Sequence, residues 1–137
     1  MLAAGVAAHS FFRDFESLEP GRKVMDVNFF GYVNMTRAAL SELRKSKGRI
    51  VAISSISAEV GIPMRTFYTA SKAAVSSFFR SLRLEEPDIR ILLATIDTFD
   101  GSNFRKNSLV KAKLEPRASI SVEKVCDQVI ASADTSA

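Results

Sequence analysis

Two short runs of unbroken apolar residues, 50–53 (Ile-Val-Ala-Ile) and 91–94 (Ile-Leu-Leu-Ala), constrain this chain more than any other feature. Neither alternates with polar residues, so each reads as a strand covered on both faces, the pattern of a parallel sheet. Parallel neighbours need a long crossover between them, usually a helix. The residues between the runs supply one: 66–84 carries Ala70, Ala73, Ala74, Phe78 and Leu82 at helical spacing. A second helix, 21–44, precedes the first run, with Val24, Val27, Phe30, Val33, Leu40 and Leu43 recurring along it. Its first half is apolar nearly all round, which predicts burial on more than one face. Lys45-Ser46-Lys47-Gly48 closes it with basic residues at the negative dipole end and a terminal glycine.

The remaining segments fit the same plan. Residues 2–6 read as the tail of a buried strand, and 9–19 as a loop or broken helix ending in Glu19-Pro20-Gly21. Strands are expected over 49–54 and 90–95. Residues 96–119 are long, polar and irregular, the signature of a functional or mobile loop. Ser121 is expected to cap a last helix with Val122, Val125, Cys126, Val129 and Ile130 on one face, which makes Cys126 a core residue. The order strand, helix, strand, helix, strand, loop, helix implies an α/β fold of three central parallel strands with right-handed crossovers.

Composition excludes several classes of function. At 137 residues the chain is long enough for one domain. No apolar run approaches the roughly 20 residues that cross a bilayer, and Met1-Leu2-Ala3-Ala4 lacks the basic start of a signal peptide. A single cysteine forbids an internal disulfide. The net charge of +4 is spread over separated pairs such as Arg22-Lys23 and Lys111/Lys113, without the stripe that nucleic acid requires. No cluster nominates itself as a metal site. The only histidine, His9, is expected in a solvent-facing loop without a catalytic role.

Chemistry points to Tyr68-Thr69-Ala70-Ser71-Lys72. Tyr68 and Lys72 are four apart and share a helix face. A phenol titrates near 10, and an adjacent ammonium lowers that value by favouring the phenolate, so the pair suits proton transfer. An exposed helical pair would look the same. Context favours the chemical reading. Ser54-Ser55 ends a buried strand, where open parallel sheets bind ligands. Asn28 stands between Val27 and Phe29 in an apolar helix, where an amide costs stability unless partnered.

Three segments in order, Asp26-Val27-Asn28-Phe29-Phe30-Gly31, Gly48 to Ser55, and Tyr68-Thr69-Ala70-Ser71-Lys72-Ala73-Ala74-Val75, resemble successive signatures of the short-chain dehydrogenase/reductase family. Their spacing resembles the family's as well, and residues 25–31 and 54–72 are most similar to its 11-beta-hydroxysteroid dehydrogenase-like members. The resemblance spans about residues 2–133. It implies a partial Rossmann-like, doubly wound sheet and an oxidoreductase that moves a hydride between NAD or NADP and a hydrophobic alcohol or ketone. Tyr68 is implied as general acid/base and Ser55 as the hydroxyl that orients the substrate oxygen. Lys72 is implied to bind the nicotinamide ribose and depress the Tyr68 pKa, and Asn28 to hold a water linking Lys72 to solvent. Ala4, Gly5, Asp97 and Phe99, with Tyr68 and Lys72, fall where the family contacts its cofactor.

The sequence also departs from the pattern. The family's glycine-rich turn and first strands would precede residue 1, and its final strand would follow residue 137, so the chain reads as the C-terminal catalytic part of one domain. Ala3-Ala4-Gly5 replaces an Asn-Ala-Gly signature, and Ile96-Asp97 replaces a Pro-Gly pair. The expectation is therefore a chain that, alone, binds dinucleotide poorly and is inactive; the alternative is a truncated pseudoenzyme with only a binding role. Helices 21–44 and 66–84 are expected to join copies into a homodimer or homotetramer. Phe99, Phe104, Leu109, Val110 and Leu114 are expected to line an apolar pocket under a lid. Compartment is left between cytoplasm and a membrane reached through an upstream segment.

Overall fold

In a computed structural model, the chain is described over residues 1–97, 99–100, 108–110 and 120–135; beyond residue 97 the described side chains are those of 108–110, 124 and 127–132. Strand β1 (Arg49–Ser55) and strand β2 (Arg90–Ile96) run parallel, in register from Arg49↔Arg90 to Ser55↔Ile96. On the other edge of β1, Leu2 makes a single parallel bridge to Ala52. Its N–H donates to the Val51 carbonyl at 2.8 Å and its carbonyl accepts from Ile53 N–H at 3.0 Å. The order Leu2, β1, β2 is the expected parallel arrangement, but the first strand is one bridge long. A short parallel pair that the sequence did not suggest, β3 (Phe99–Asp100) with β4 (Ile120–Ser121), lies within and beyond the expected loop. Helix α4 (Val122–Thr135) follows, so Ser121 belongs to a strand residue pair at the helix start. The core position expected for Cys126, and Phe104 and Leu114 of the expected pocket, lie outside the described side chains.

The first long helix is continuous in direction but not in type. Helix α1 (Glu19–Met25) gives way to a π-helical turn (Asp26–Phe30), then to helix α2 (Gly31–Ser46). Pro20 in the first turn of α1 suits a position whose N–H has no intrahelical partner. The π-helical turn holds Asn28 and is the kind of local widening that recurs at functional sites. At the far end, Lys47, not Gly48, takes the left-handed conformation (φ 46°, ψ 46°), and Gly48 N–H donates to the Leu43 carbonyl at 2.9 Å. Glycine is required at 48 for a different reason: a Cβ there would lie 2.7 Å from Leu43 Cδ2.

Helix α3 (Thr66–Glu85) buries one face along its length: Tyr68, Ser71, Lys72, Val75, Ser76, Phe79 and Leu82. Spacings of three and four place these side chains in one stripe. The stripe is polar near the start of the helix and apolar near its end. Its apolar half joins Tyr32, Ile50, Ala52, Ile89 and Ile91 in the main core. Its polar half lies against the C-terminal end of β1, so one helix both anchors the fold and presents the site.

Helix α1 approaches α3 closely at Gly21. A Cβ on Gly21 would sit 2.5 Å from Cε1 of Phe67, whose ring is already held edge-on by Phe12 and Phe15 at 5.9 and 4.9 Å. Overpacking a held ring costs about 1–3 kcal/mol. Gly21→Ala is therefore expected to destabilise the fold by that amount, read as a lower urea midpoint with the m-value unchanged, and an unchanged midpoint would show that the contact is slack.

Candidate active site

The site begins with a buried amide. Asn28 is 0 % exposed. Its Oδ1 accepts from Val6 N–H at 2.8 Å, and its Nδ2 donates to the Val6 carbonyl at 2.9 Å and to Ser71 Oγ at 2.9 Å. Ser71 Oγ in turn donates to the Tyr68 carbonyl at 2.7 Å. One side chain thus ties the N-terminal segment, the π-helical turn and the first turns of α3 together. Both amide hydrogens are committed to the protein. A water at this residue, as the family resemblance implies, would be left the second lone pair of Oδ1 and the backbone.

The end of β1 is fixed to α3 by hydroxyls. Ser54 Oγ and Ser76 Oγ lie 2.7 Å apart. Ser55, next along, turns its hydroxyl to accept from Ser57 N–H at 3.2 Å, which caps the short 3-10 turn Ile56–Ala58. The Ser55 hydroxyl donates to Ser57 Oγ at 3.2 Å and lies near enough to the Tyr68 phenol to lower its pKa. Sequence reasoning placed both residues at one point, and the structure brings them together.

Electrostatics here are governed by burial. The Tyr68 phenol is pushed above its ordinary value by burial, against the lowering pull of the Ser55 hydrogen bond and of the Arg65 guanidinium. Lys72, only 4 % exposed, is pulled down by burial to about 8. Its Nζ donates to the Ile53 carbonyl at 2.9 Å and lies 6.0 Å from the Tyr68 ring centre. The Arg65 guanidinium is a cation that lowers the Tyr68 pKa. Arg65 is buried and immediately precedes α3. The sequence held a signal for it: a basic residue at the positive end of a helix dipole is unfavourable without a purpose. Tyr32 was also missed as a site residue, because its spacing reads as core.

The expected cofactor-side residues lie on the N-terminal segment and beyond the end of β2. Ala4 is exposed and Gly5 half-buried, two residues and one residue before the Asn28-bound Val6. Asp97 is exposed just beyond β2, and the Phe99 backbone lies in β3. His9 is buried and not solvent-facing as expected: it is 1 % exposed, with Nδ1 2.8 Å from Ser108 Oγ and its backbone N–H donating to the Val110 carbonyl at 2.9 Å. Segment 108–110 folds back over residues 7–9, also through Leu109 N–H to the Ala7 carbonyl at 2.7 Å, and this long-range cover buries the ring. Among the described residues no group of three or more His, Cys, Asp or Glu is placed to hold a metal, and no helix is long and apolar enough to cross a membrane.

Lys72 gives the fold a defined pH response. Its folded value of about 8 lies below the ordinary 10.5, so between these values the unfolded chain binds more protons and stability rises with pH. Burial raises Tyr32 and Tyr68 above 10.0, so stability falls again at higher pH as the unfolded chain loses those protons first. Urea unfolding is expected to show greater stability at about pH 9.5 than at about pH 7.5. Lys72→Met should abolish that rise; a rise that persists in the variant would contradict the assignment.

Comparison with known proteins agrees with this geometry. The family model described as short chain dehydrogenase matches residues 1–104. The chain is 50% identical over 93 residues to 11-beta-hydroxysteroid dehydrogenase A of Sesamum indicum, covering 67% of this chain and 27% of that protein. It is 46% identical over 91 residues to 11-beta-hydroxysteroid dehydrogenase-like 3 of Arabidopsis thaliana, covering 66% of this chain and 29% of that protein. A short chain dehydrogenase from Burkholderia cenocepacia, solved in complex with NADP, superposes with a TM-score of 0.85 at 28% identity, over 98% of this chain and 56% of that one. An alcohol dehydrogenase from Thermococcus sibiricus, solved with 5-hydroxy-NADP, shares the fold at a TM-score of 0.82 and 19% identity, over 96% of this chain and 54% of that one. The chain therefore spans less than a third of these curated relatives and just over half of these structural neighbours. With the family signatures gathered at one strand end and the family model matched across most of its length, the chain belongs to the short-chain dehydrogenase family.

Proposed function

We propose that this chain carries the proton-transfer centre of a nicotinamide-dependent oxidoreductase acting on a hydrophobic alcohol or ketone. The observation that carries the reading is Tyr68 on the buried face of α3, with the nearly buried Lys72 ammonium 6.0 Å from its ring centre and the Ser55 hydroxyl acting on the phenol. The alternative of a binding-only pseudoenzyme is not favoured, since every polar group needed for the proton chemistry is present and held.

Tyr68 is the general acid in the reducing direction. Its raised pKa keeps the phenol protonated at neutral pH, ready to donate to a carbonyl oxygen. Ser55 donates to the same oxygen and fixes its position. Arg65 stabilises the phenolate left behind. In the oxidising direction the same phenolate takes the alcohol proton back.

A nicotinamide dinucleotide fits the donors at hand. Lys72 is a nearly buried ammonium whose partner, among the described residues, is a backbone carbonyl and not a carboxylate. A cation kept in that way suits a neutral diol such as a ribose. Tyr68 and Lys72 would hold that ribose, with Ala4, Gly5, Asp97 and Phe99 around the rest. When bound, the cofactor supplies the hydride, and the protein supplies position and the proton. The two solved relatives were bound to NADP or its 5-hydroxy derivative, which supports this class of cofactor for the present chain and leaves NAD and NADP both to be tried. Leu109 and Val110, half-buried where segment 108–110 folds over residues 7–9, support an apolar substrate side. Exposed Phe30, Met35 and Leu84 on the two long helical segments suit a homodimer or homotetramer.

The test is Tyr68→Phe in the longest natural chain that carries these residues, assayed for reduction of apolar ketones with NADH and with NADPH. Turnover is expected to fall by about 10²–10⁴-fold, the usual worth of a general acid, with cofactor affinity preserved. Near-normal kcat would remove Tyr68 from the chemistry.

A further inference from the structure

The Ile53 carbonyl has two side-chain donors where a strand carbonyl ordinarily has one backbone partner. Lys72 Nζ donates to it at 2.9 Å and Tyr32 Oη donates to it at 3.2 Å. The cause lies in the short first strand. Ile53 N–H donates to the Leu2 carbonyl, so both polar groups of Ile53 face the N-terminal segment. A parallel neighbour would supply the next N–H of that segment to the Ile53 carbonyl. Here the segment bridges only at Leu2, then swings away to Val6, where Asn28 holds it. The carbonyl left over at the end of β1 is filled from α2 and α3.

Lys72 sits between two phenols. Its Nζ is 5.2 Å from the Tyr32 ring centre and 6.0 Å from that of Tyr68. Tyr32 is 2 % exposed and backed by Phe79, with ring centres 6.4 Å apart, so its ring is a fixed floor. An ammonium has three N–H donors, so Lys72 can hold the Ile53 carbonyl with one and keep two for a ligand hydroxyl. The buried carbonyl therefore anchors the ammonium without occupying it.

We propose that Tyr32 is a positioning residue for Lys72: its hydroxyl shares the Ile53 carbonyl and its ring face lies under the ammonium, so that Lys72 is held in one place with N–H donors left for a ligand. The proposal rests on Lys72 serving a ligand as described above, but its coupling to Tyr32 exists in the chain without one. Sharing the carbonyl weakens its hold on Lys72, and the ring face below keeps the ammonium from straying. A tyrosine present only for core packing would leave the Lys72 titration unchanged when its hydroxyl is removed.

The chain has two tyrosines, so Cζ-labelled tyrosine gives two carbon signals, assigned with Tyr32→Phe and Tyr68→Phe. The groups that face Lys72 and ionise are Tyr32 and Tyr68, both raised above 10.0, with Arg65 acting on Tyr68. A step near pH 8 therefore belongs to Lys72. The Tyr32 signal is expected to move through that step and to lose it in Lys72→Met. In Tyr32→Phe, Lys72 keeps the carbonyl to itself, and its titration, read on a labelled Cε, is expected to rise by roughly half a unit to one unit. A Lys72 titration unchanged in a folded Tyr32→Phe, a Tyr32 signal that stays flat through the Lys72 step, or a step that survives Lys72→Met would overturn the proposal. If Tyr32→Phe fails to fold, the unmutated chain and Lys72→Met decide it. Neither reading depends on turnover, so loss of the Tyr68 assignment would leave this result standing and separable.

Discussion

Much of the structure depends on the side chain of Asn28 closing three hydrogen bonds inside the protein. An amide buried in a helix is a liability until all its polar atoms are paired. Pairing it here demands that Val6 present both its N–H and its carbonyl, and that Ser71 present its hydroxyl. Those demands fix where the N-terminal segment leaves β1 and how α3 is rotated about its axis. They also coincide with the π-helical turn, which places the amide at the junction. The bridge at Leu2 stops where it does because the chain beyond is bound to a helix and not to a strand. The Ile53 carbonyl is then filled by Tyr32 and Lys72 and not by a strand, which sets the placement of Lys72.

The second governing effect is desolvation. Lys72 and Tyr68 are both buried, and burial moves their pKa values toward the neutral forms. Such a pair is poised rather than pre-ionised: the phenol keeps its proton and the ammonium holds its own weakly. Arg65 and Ser55 oppose the trend at Tyr68 alone. The site separates its tasks, with the proton at Tyr68, orientation at Ser55, and ligand holding at Lys72. The fold bears a cost for this, since a buried lysine opposes folding wherever it is charged.

The parallel core was legible because unbroken apolar runs at 50–53 and 91–94 have few other solutions, and both strands extend only one residue past the expected ends. Tyr68, Lys72, Ser55 and Asn28 were legible because proton chemistry and a misplaced amide both leave marks in sequence. What escaped was set by distant contacts. His9 lacks any local sign of burial, because its cover comes from Ser108 and Val110, which lie 99 and 101 residues further along the chain. The π-helical turn has no period of its own and reads as ordinary helix. Gly48 was expected to close the helix, and the left-handed position that ends it falls one residue earlier, on Lys47. Tyr32 looked like core and is core, yet its hydroxyl reaches the site.

The most direct measurement is amide hydrogen exchange at Val6 in the intact chain and in Asn28→Ala. Val6 lies outside every strand, so without the Asn28 amide its N–H should exchange like that of a loop. Strong protection of Val6, comparable to that of β1 amides and lost in Asn28→Ala while β1 stays protected, is the expected result. Fast exchange at Val6 in the unmutated chain would mean that Asn28 does not hold the segment, and the site's geometry would then have to arise from some other contact.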